Sequence, residues 1–327
     1  MNPEIKTLFI YYAPHPIHSA FAETVTSERY HCGVSFSEVL VNFIKGLFKR
    51  ESYDVLFLES GTCLPVALAL KKSKTKIVLL NADPLFFELP KINFLKRKIL
   101  KFLISYVDAV IVNSQLNQDL ASKYFHKKIY TVRPFGLNSN FNINCDIASS
   151  NLLFIGNEGE YKGFNSLLEA VEKLNEDKTL YDLYIVGSSA DRITSDYDWL
   201  HKEGFLHDLD PYFRECSIYI HPAEYESFGA SIIEAMAAGL IPIITKNCGA
   251  SDVFKENHLE FLIMDNNNPE TIKNKITEIY NQPLPWKKDI SKKCKEISLD
   301  YTKETQLRKF KNTFDEITAD LLENDNG

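Results

Sequence analysis

Glycine and proline are sparse in this chain, 13 of each in 327 residues, which excludes collagen-like and low-complexity architectures. Long apolar runs are missing as well. The longest candidates are interrupted by Lys or Asp before reaching the roughly 18 residues that a spanning helix needs, so no transmembrane segment is expected. The first apolar run begins after Lys6 and stops at Pro14, too brief and too weakly basic at its start for a signal peptide, so a cytoplasmic protein is expected. Six cysteines, Cys32, Cys63, Cys145, Cys216, Cys248 and Cys294, include no C-x-x-C pair and no histidine at zinc-finger spacing. They read as reduced thiols, and neither a disulfide framework nor a metal site is expected. No G-x-G-x-x-G follows the first strand of either half, which sets aside a nicotinamide-dependent oxidoreductase. A net charge of −7 and the lack of a recognised motif set aside nucleic-acid binding. No repeat at solenoid period occurs.

What is present is a composition of 45% hydrophobic and 25% charged residues, that of a soluble globular protein, on a chain long enough for two domains. Short apolar runs rich in β-branched and aromatic residues alternate with helical stretches, the pattern of a parallel sheet covered on both faces. In the first half the runs are residues 7–12, 55–58, 76–80, 109–112 and 129–132, with helices such as 38–49 and 95–106. In the second half they are 152–155, 183–186, 218–220, 241–244 and 261–264, with helices near 165–174, 232–238 and 269–280. The pattern predicts an α/β chain of two doubly wound domains. Residues 133–150 have linker chemistry, with Pro134, Gly136 and several Asn and Ser, and place the boundary near 148. The expected domains are thus 1–148 and 149–301, followed by a helix over 302–327. In that helix Leu307, Phe310, Phe314, Ile317 and Leu321 form one apolar face, expected to return to the first domain.

The strongest chemical signal is the segment His221-Pro-Ala-Glu-Tyr-Glu-Ser-Phe-Gly-Ala-Ser-Ile-Ile-Glu-Ala-Met-Ala-Ala-Gly239. It leaves a buried strand, turns through a glycine and opens a helix. The amides of Ser227, Phe228, Gly229 and Ala230 then sit at a helix N-terminus carrying about half a positive charge, where an anion or hydroxyl oxygen is favoured. Glu226 precedes the turn and Glu234 follows two helical turns later, and carboxylates of this kind accept hydrogen bonds from sugar or ribose hydroxyls. An ordinary strand-turn-helix with surface glutamates is the bland alternative.

This segment resembles the E-x(7)-E signature of family-four retaining glycosyltransferases (glycosyl transferases group 1), departing in its leading part only at Ser227. The resemblance implies a GT-B architecture, two Rossmann-like domains facing a central cleft, and transfer of a sugar from a nucleotide-diphosphate donor with retention and without a metal or resident cofactor. It implies that Glu226 contacts the donor sugar, the amides of Phe228 and Gly229 its far edge, and Glu234 the ribose. A second stretch, Phe154-Ile-Gly-Asn-Glu-Gly-Glu-Tyr-Lys-Gly-Phe164, resembles the family's G-R-x-x-x-x-K-G loop, in which Arg and Lys neutralise the departing diphosphate. Lys162 carries over, whereas Asn157 replaces the Arg. That exchange slows chemistry by about one decade unless another cation substitutes, and keeps open a catalytically silent sugar-nucleotide-binding subunit. An epimerase or phosphorylase of the same fold is a further alternative.

Gly187-Ser-Ser189 stands where the family has a turn near the nucleotide base, and an ordinary strand-end turn fits it equally. Val112-Asn-Ser114, Pro134-Phe-Gly136 and Cys248-Gly-Ala-Ser-Asp252 resemble further family turns. In the first domain Pro14-His-Pro-Ile-His-Ser19 lacks the family's paired glycines, and Asn81-Ala-Asp83 replaces its His-Asp. Asp83 is the candidate near the acceptor hydroxyl or anomeric carbon, with His15 and His18 as alternates and a plain turn role for Asp83 also open. Finally, Lys91, Lys96, Arg97, Lys98 and Lys101 alternate with Phe94, Leu95, Ile99, Phe102 and Leu103. Residues 91–106 therefore read either as a basic amphipathic helix lying peripherally on the anionic inner face of the cell membrane, or as a core helix with solvated lysines. A glycan or lipid-linked acceptor suits the whole.

Overall fold

The computed structural model of the chain describes residues 5–13, 15–137, 142–156, 160–176 and 180–323. Asn157 lies outside them. The chain divides into two compact units, one running up to Pro134 and taken up again from Glu304, the other Phe135–Lys303. The division falls ahead of residue 148, because Ile143 already belongs to the second core.

In the first unit β1 (Thr7–Tyr11), β2 (Arg29–His31), β3 (Val55–Leu58), β4 (Lys76–Asn81), β5 (Ala109–Val112) and β6 (Ile129–Thr131) form one sheet in the order β2-β1-β3-β4-β5-β6, every pairing parallel. Helices α1 (Pro16–Glu23), α2 (Phe36–Leu47), α3 (Leu64–Leu70), α4 (Leu85–Glu88), α5 (Phe94–Ile104) and α6 (Gln115–Ser122) connect them. Because side chains alternate along a strand, Leu8, Ile10, Leu56 and Leu58 face one core while Phe9 and Phe57 face the other side. Two buried faces explain why these strands read as unbroken apolar runs.

In the second unit β7 (Leu152–Ile155), β8 (Leu183–Val186), β9 (Leu200–Gly204), β10 (Ile218–His221), β11 (Ile241–Thr245) and β12 (Ile263–Met264) form a sheet in the order β12-β11-β10-β7-β8-β9, again parallel throughout. Its helices are α7 (Phe164–Leu174), α8 (Asp210–Glu215), α9 (Ala230–Ala238), α10 (Ser251–Glu256), α11 (Pro269–Tyr280) and α12 (Leu284–Ser298). The last helix, α13 (Lys303–Glu323), covers the Phe9–Phe57 face of the first sheet. Phe310 stacks on Phe21 at 4.5 Å, and Phe314 meets Phe57 edge-on at 5.3 Å.

Three strands differ from the sequence pattern. The apolar run 261–264 is mostly a 3-10 turn, Glu260–Leu262, with only Ile263–Met264 in the sheet. The edge strands β2 and β9 carry the polar sequences RYH and LHKEG and are partly exposed, so no apolar run announces them.

In each sheet the chain reverses its direction of travel at one place: between β1 and β3 in the first, between β7 and β10 in the second. Open parallel sheets bind ligands outside the carboxyl ends of the strands at such switch points.

Candidate active site

At the second switch point the loops after β7 and β10 meet. Lys162 closes the 3-10 turn Glu160–Lys162, which is anchored where Glu224 N donates to Tyr161 O at 2.7 Å. The next residue, Gly163, has φ +73°, and a Cβ there would lie 2.0 Å from the Pro222 carbonyl oxygen. Only glycine lets the backbone approach this closely, and the approach brings the Lys162 ammonium onto the Glu226 carboxylate.

Glu226 is held on its other sides too. Its N–H donates to Asn247 O at 3.1 Å, Gly249 N donates to Glu226 O at 2.9 Å, and Ala250 N to Phe228 O at 3.0 Å. The Glu226–Phe228 loop is thereby stitched to the Cys248-Gly-Ala-Ser-Asp252 turn. His221 Nε2 lies 3.2 Å from Glu226 Oε2, Tyr219 Oη 3.1 Å from His221 Nδ1, and Ser231 Oγ 2.8 Å from Tyr219 Oη. An ionised carboxylate only accepts, so Nε2 donates to it. Burial pushes the imidazole below its ordinary pKa, against the pull of Glu226, which leaves the ring neutral and Nδ1 an acceptor for the Tyr219 hydroxyl; Tyr219 then accepts from Ser231. Burial alone would raise the Glu226 pKa, but Lys162 and His221 outweigh it and hold the carboxyl well below the usual range. Glu226 in turn overcomes the burial of Lys162 and holds the ammonium above its ordinary value. The pair is therefore ionised in the free protein.

The remaining candidates surround this pair. Gly229, with φ +91°, caps α9, directing the amides of the first turn outward. Ser227 is buried, and the Phe228 side chain goes into the core, leaving its backbone for any ligand contact. Ala230 opens the helix. Glu234 is buried one face along, with Oε1 accepting from Leu137 N at 2.7 Å, just past the Pro134-Phe-Gly136 turn. Gly187 ends β8 with φ +110°, its N–H donating to Gly204 O at 2.5 Å; a Cβ there would meet Gly156 O at 2.2 Å.

At the first switch point a cavity of about 480 Å³ is lined from the ends of β1, β3 and β4. Asp83 lines it, half-buried. Its Oδ1 accepts from Asn81 Nδ2 at 2.6 Å and from Leu85 N at 3.1 Å. Burial raises its pKa, opposed by the N–H groups of Leu85 and Gly61. This carboxylate ties two turns together. Glu59, which the sequence did not flag, lines the same cavity and is buried; it accepts from Tyr12 N at 2.8 Å and Ala13 N at 3.2 Å, and its Oε1 lies 3.1 Å from Nδ1 of His18, one of the alternates to Asp83. The His18 ring stacks on His15 at 4.2 Å. A carboxylate directly after the fully buried strand Val55–Leu58 is the signal that identifies it. Tyr219 and His221, polar tips two residues apart on one face of a buried strand, are the corresponding signal at the other site.

Residues 148–297 match the family Glycosyl transferases group 1. An uncharacterized glycosyltransferase of Haemophilus influenzae is 26% identical over 285 residues, covering 82% of this chain and 78% of that protein. Among solved structures, Anabaena HepE in complex with UDP and glucose aligns with a TM-score of 0.72 at 14% identity, over 95% of this chain and 99% of that one. Sucrose-phosphate synthase from Thermosynechococcus elongatus aligns at 0.71 and 17% identity, over 87% and 79%. The chain is a glycosyltransferase of GT-B architecture, and its residues 148–297 match glycosyl transferases group 1.

Proposed function

We propose that this glycosyltransferase takes its sugar from a nucleotide-diphosphate donor held at the β7/β10 switch point, and transfers it with retention to a glycan or lipid-linked acceptor bound by the first unit. The observation that carries the reading is the half-buried Lys162–Glu226 pair beside the N-terminus of α9. It sets a cation for a diphosphate next to a carboxylate for sugar hydroxyls, in a position where oxygen-rich ligands are favoured. Support comes from HepE, of similar fold, whose structure holds UDP and glucose.

In this reading Lys162 turns from Glu226 to the diphosphate, Glu226 accepts from the sugar, Glu234 from the ribose, and the turn at Gly187 lies near the base. The acceptor oxygen bonds to the anomeric carbon on the face from which the phosphate oxygen departs. The electron pair of the broken bond leaves with the nucleoside diphosphate, which takes up the acceptor's proton. Charge stabilisation falls to Lys162 and the helix N-terminus, and the reading needs no resident metal. Helix α5 offers exposed Phe94, Leu95, Ile99 and Phe102 among Lys96, Lys98 and Lys101, a face suited to an anionic membrane surface. Nuclear magnetic resonance of the first-formed product tests the stereochemistry. The anomeric configuration of the donor is expected in the product, and inversion would overturn the mechanism while leaving the donor site intact.

A further inference from the structure

Helix α2 is an apolar helix with little core of its own to enter. Gly46 is its only fully buried residue; it lies against α3, where an added Cβ would come 3.0 Å from Ala69 Cβ. Phe36 is 85% exposed, Leu40 47% and Ile44 47%, and Phe48 just beyond the helix is 80% exposed. Contiguous apolar surface of this kind marks a binding face. Between α2 and α5 it deepens into a groove of about 470 Å³, with Phe36, Val39, Leu40 and Phe43 on one wall and Leu100 and Leu103 on the other. The groove does not end blindly. Tyr12, Gly61, Thr62 and Leu100 line both it and the cavity that holds Glu59, His18 and Asp83, so one occupant reaches from the apolar groove to these polar side chains.

Charge decides between kinds of occupant. The groove's α5 wall, FLKRKILKFLI, has no acidic residue. Arg97 is committed to the carbonyls of Pro90 and Ile92, while Lys96, Lys98 and Lys101 are exposed. A second copy seated with its own α5 over this wall would bring like cations together, a contact that like-charge repulsion disfavours. An amphiphile brings no such repulsion.

We infer that the groove between α2 and α5 binds the hydrocarbon chain of an amphiphilic acceptor whose hydroxyl-bearing head enters the Glu59–His18 cavity. This narrows the acceptor to the lipid-linked class and rests on the reading above that the first unit is the acceptor side.

The test is calorimetry of the full chain against octyl, decyl and dodecyl β-D-glucopyranoside, each below its micelle concentration, with a panel of nucleoside diphosphates titrated in parallel. Affinity is expected to rise with chain length, up to about fourfold per methylene, since a buried CH2 contributes about 0.8 kcal/mol. The double substitution Phe36→Ser, Leu40→Ser, at two exposed positions, should abolish that dependence and leave nucleoside diphosphate binding unchanged. Affinity independent of chain length in the wild type, or a dependence that survives the double substitution, overturns the inference. So does a dimer in sedimentation that the double substitution dissolves, accompanied by no chain-length effect. Chain-length dependence without nucleoside diphosphate binding would uphold the groove and sink the donor reading.

Discussion

Glycine at position 163 shows how one missing side chain sets the chemistry of the second unit. Its left-handed backbone and its contact with the Pro222 carbonyl are what seat Lys162 on Glu226. Gly163→Ala should therefore destabilise the chain by about 2–4 kcal/mol through strain and overlap, read as a lower urea midpoint, and a neutral result would mean the two loops are not fixed to each other. The Lys162–Glu226 pair makes a second prediction. The folded carboxyl lies below its ordinary value of 4.5, so the unfolded chain takes up a proton near that pH while the folded chain does not. The stabilisation is full above about pH 4.5 and is lost as the pH falls further. Glu226→Gln should thus lower stability by about 1.5–3 kcal/mol at neutral pH, with the gap to wild type narrowing in acid. A gap that does not change with pH would show that the pair is not ionised. At this scale residue type and spacing single out Glu226, Lys162 and Glu234 as candidates, and of these the structure brings Lys162 onto Glu226. Glu59 and the Ser231–Tyr219–His221 chain carry only faint local signals, because which partners they meet depends on how strand ends and the turns after them come together.

Among elements, central strands and amphipathic helices are read off the sequence almost residue for residue. Val55–Leu58, Ala109–Val112, Leu152–Ile155, Leu183–Val186 and Pro269–Tyr280 coincide with their apolar patterns, since burial on two faces leaves no choice of side chain. Edge strands escape detection for the opposite reason: β2 and β9 have one neighbour and partial exposure, so polar residues are tolerated. Helix α12 escapes as well; it opens Leu-Pro-Trp and is crowded with lysine, and few of its residues are buried. The α5 segment has features of both readings made from its sequence. Ile104 is buried and Leu100 and Leu103 are half-buried, but Phe94, Leu95, Ile99 and Phe102 face solvent, so the apolar side is wider than the core it serves. Helix α13 is different. Phe310 and Phe314 are buried against Phe21 and Phe57, which makes the C-terminal helix part of the first core. Phe310→Ala should cost about 3–5 kcal/mol, measured by thermal or urea unfolding. A loss below 1 kcal/mol would mean that the first sheet does not depend on that helix.

For the whole molecule, two sheets of different strand order each place a polar site at a switch point, and the two sites differ in kind. The second unit offers an ion pair beside a helix N-terminus, suited to a charged donor. The first offers a histidine–carboxylate cavity opening onto an apolar groove, suited to an uncharged hydroxyl on an amphiphile. A net charge of −7 coexists with a helix free of acidic residues, so positive charge is concentrated on one face. The donor site is tested by calorimetry of wild type, Glu234→Ala and Lys162→Ala against a panel of nucleoside diphosphates and their sugars. Binding of one nucleotide family by wild type is predicted, with affinity reduced at least tenfold in each variant, because a hydrogen bond to a charged group contributes about 1.5–3 kcal/mol. No binding by a folded wild-type protein, or equal binding by all three, would contradict it.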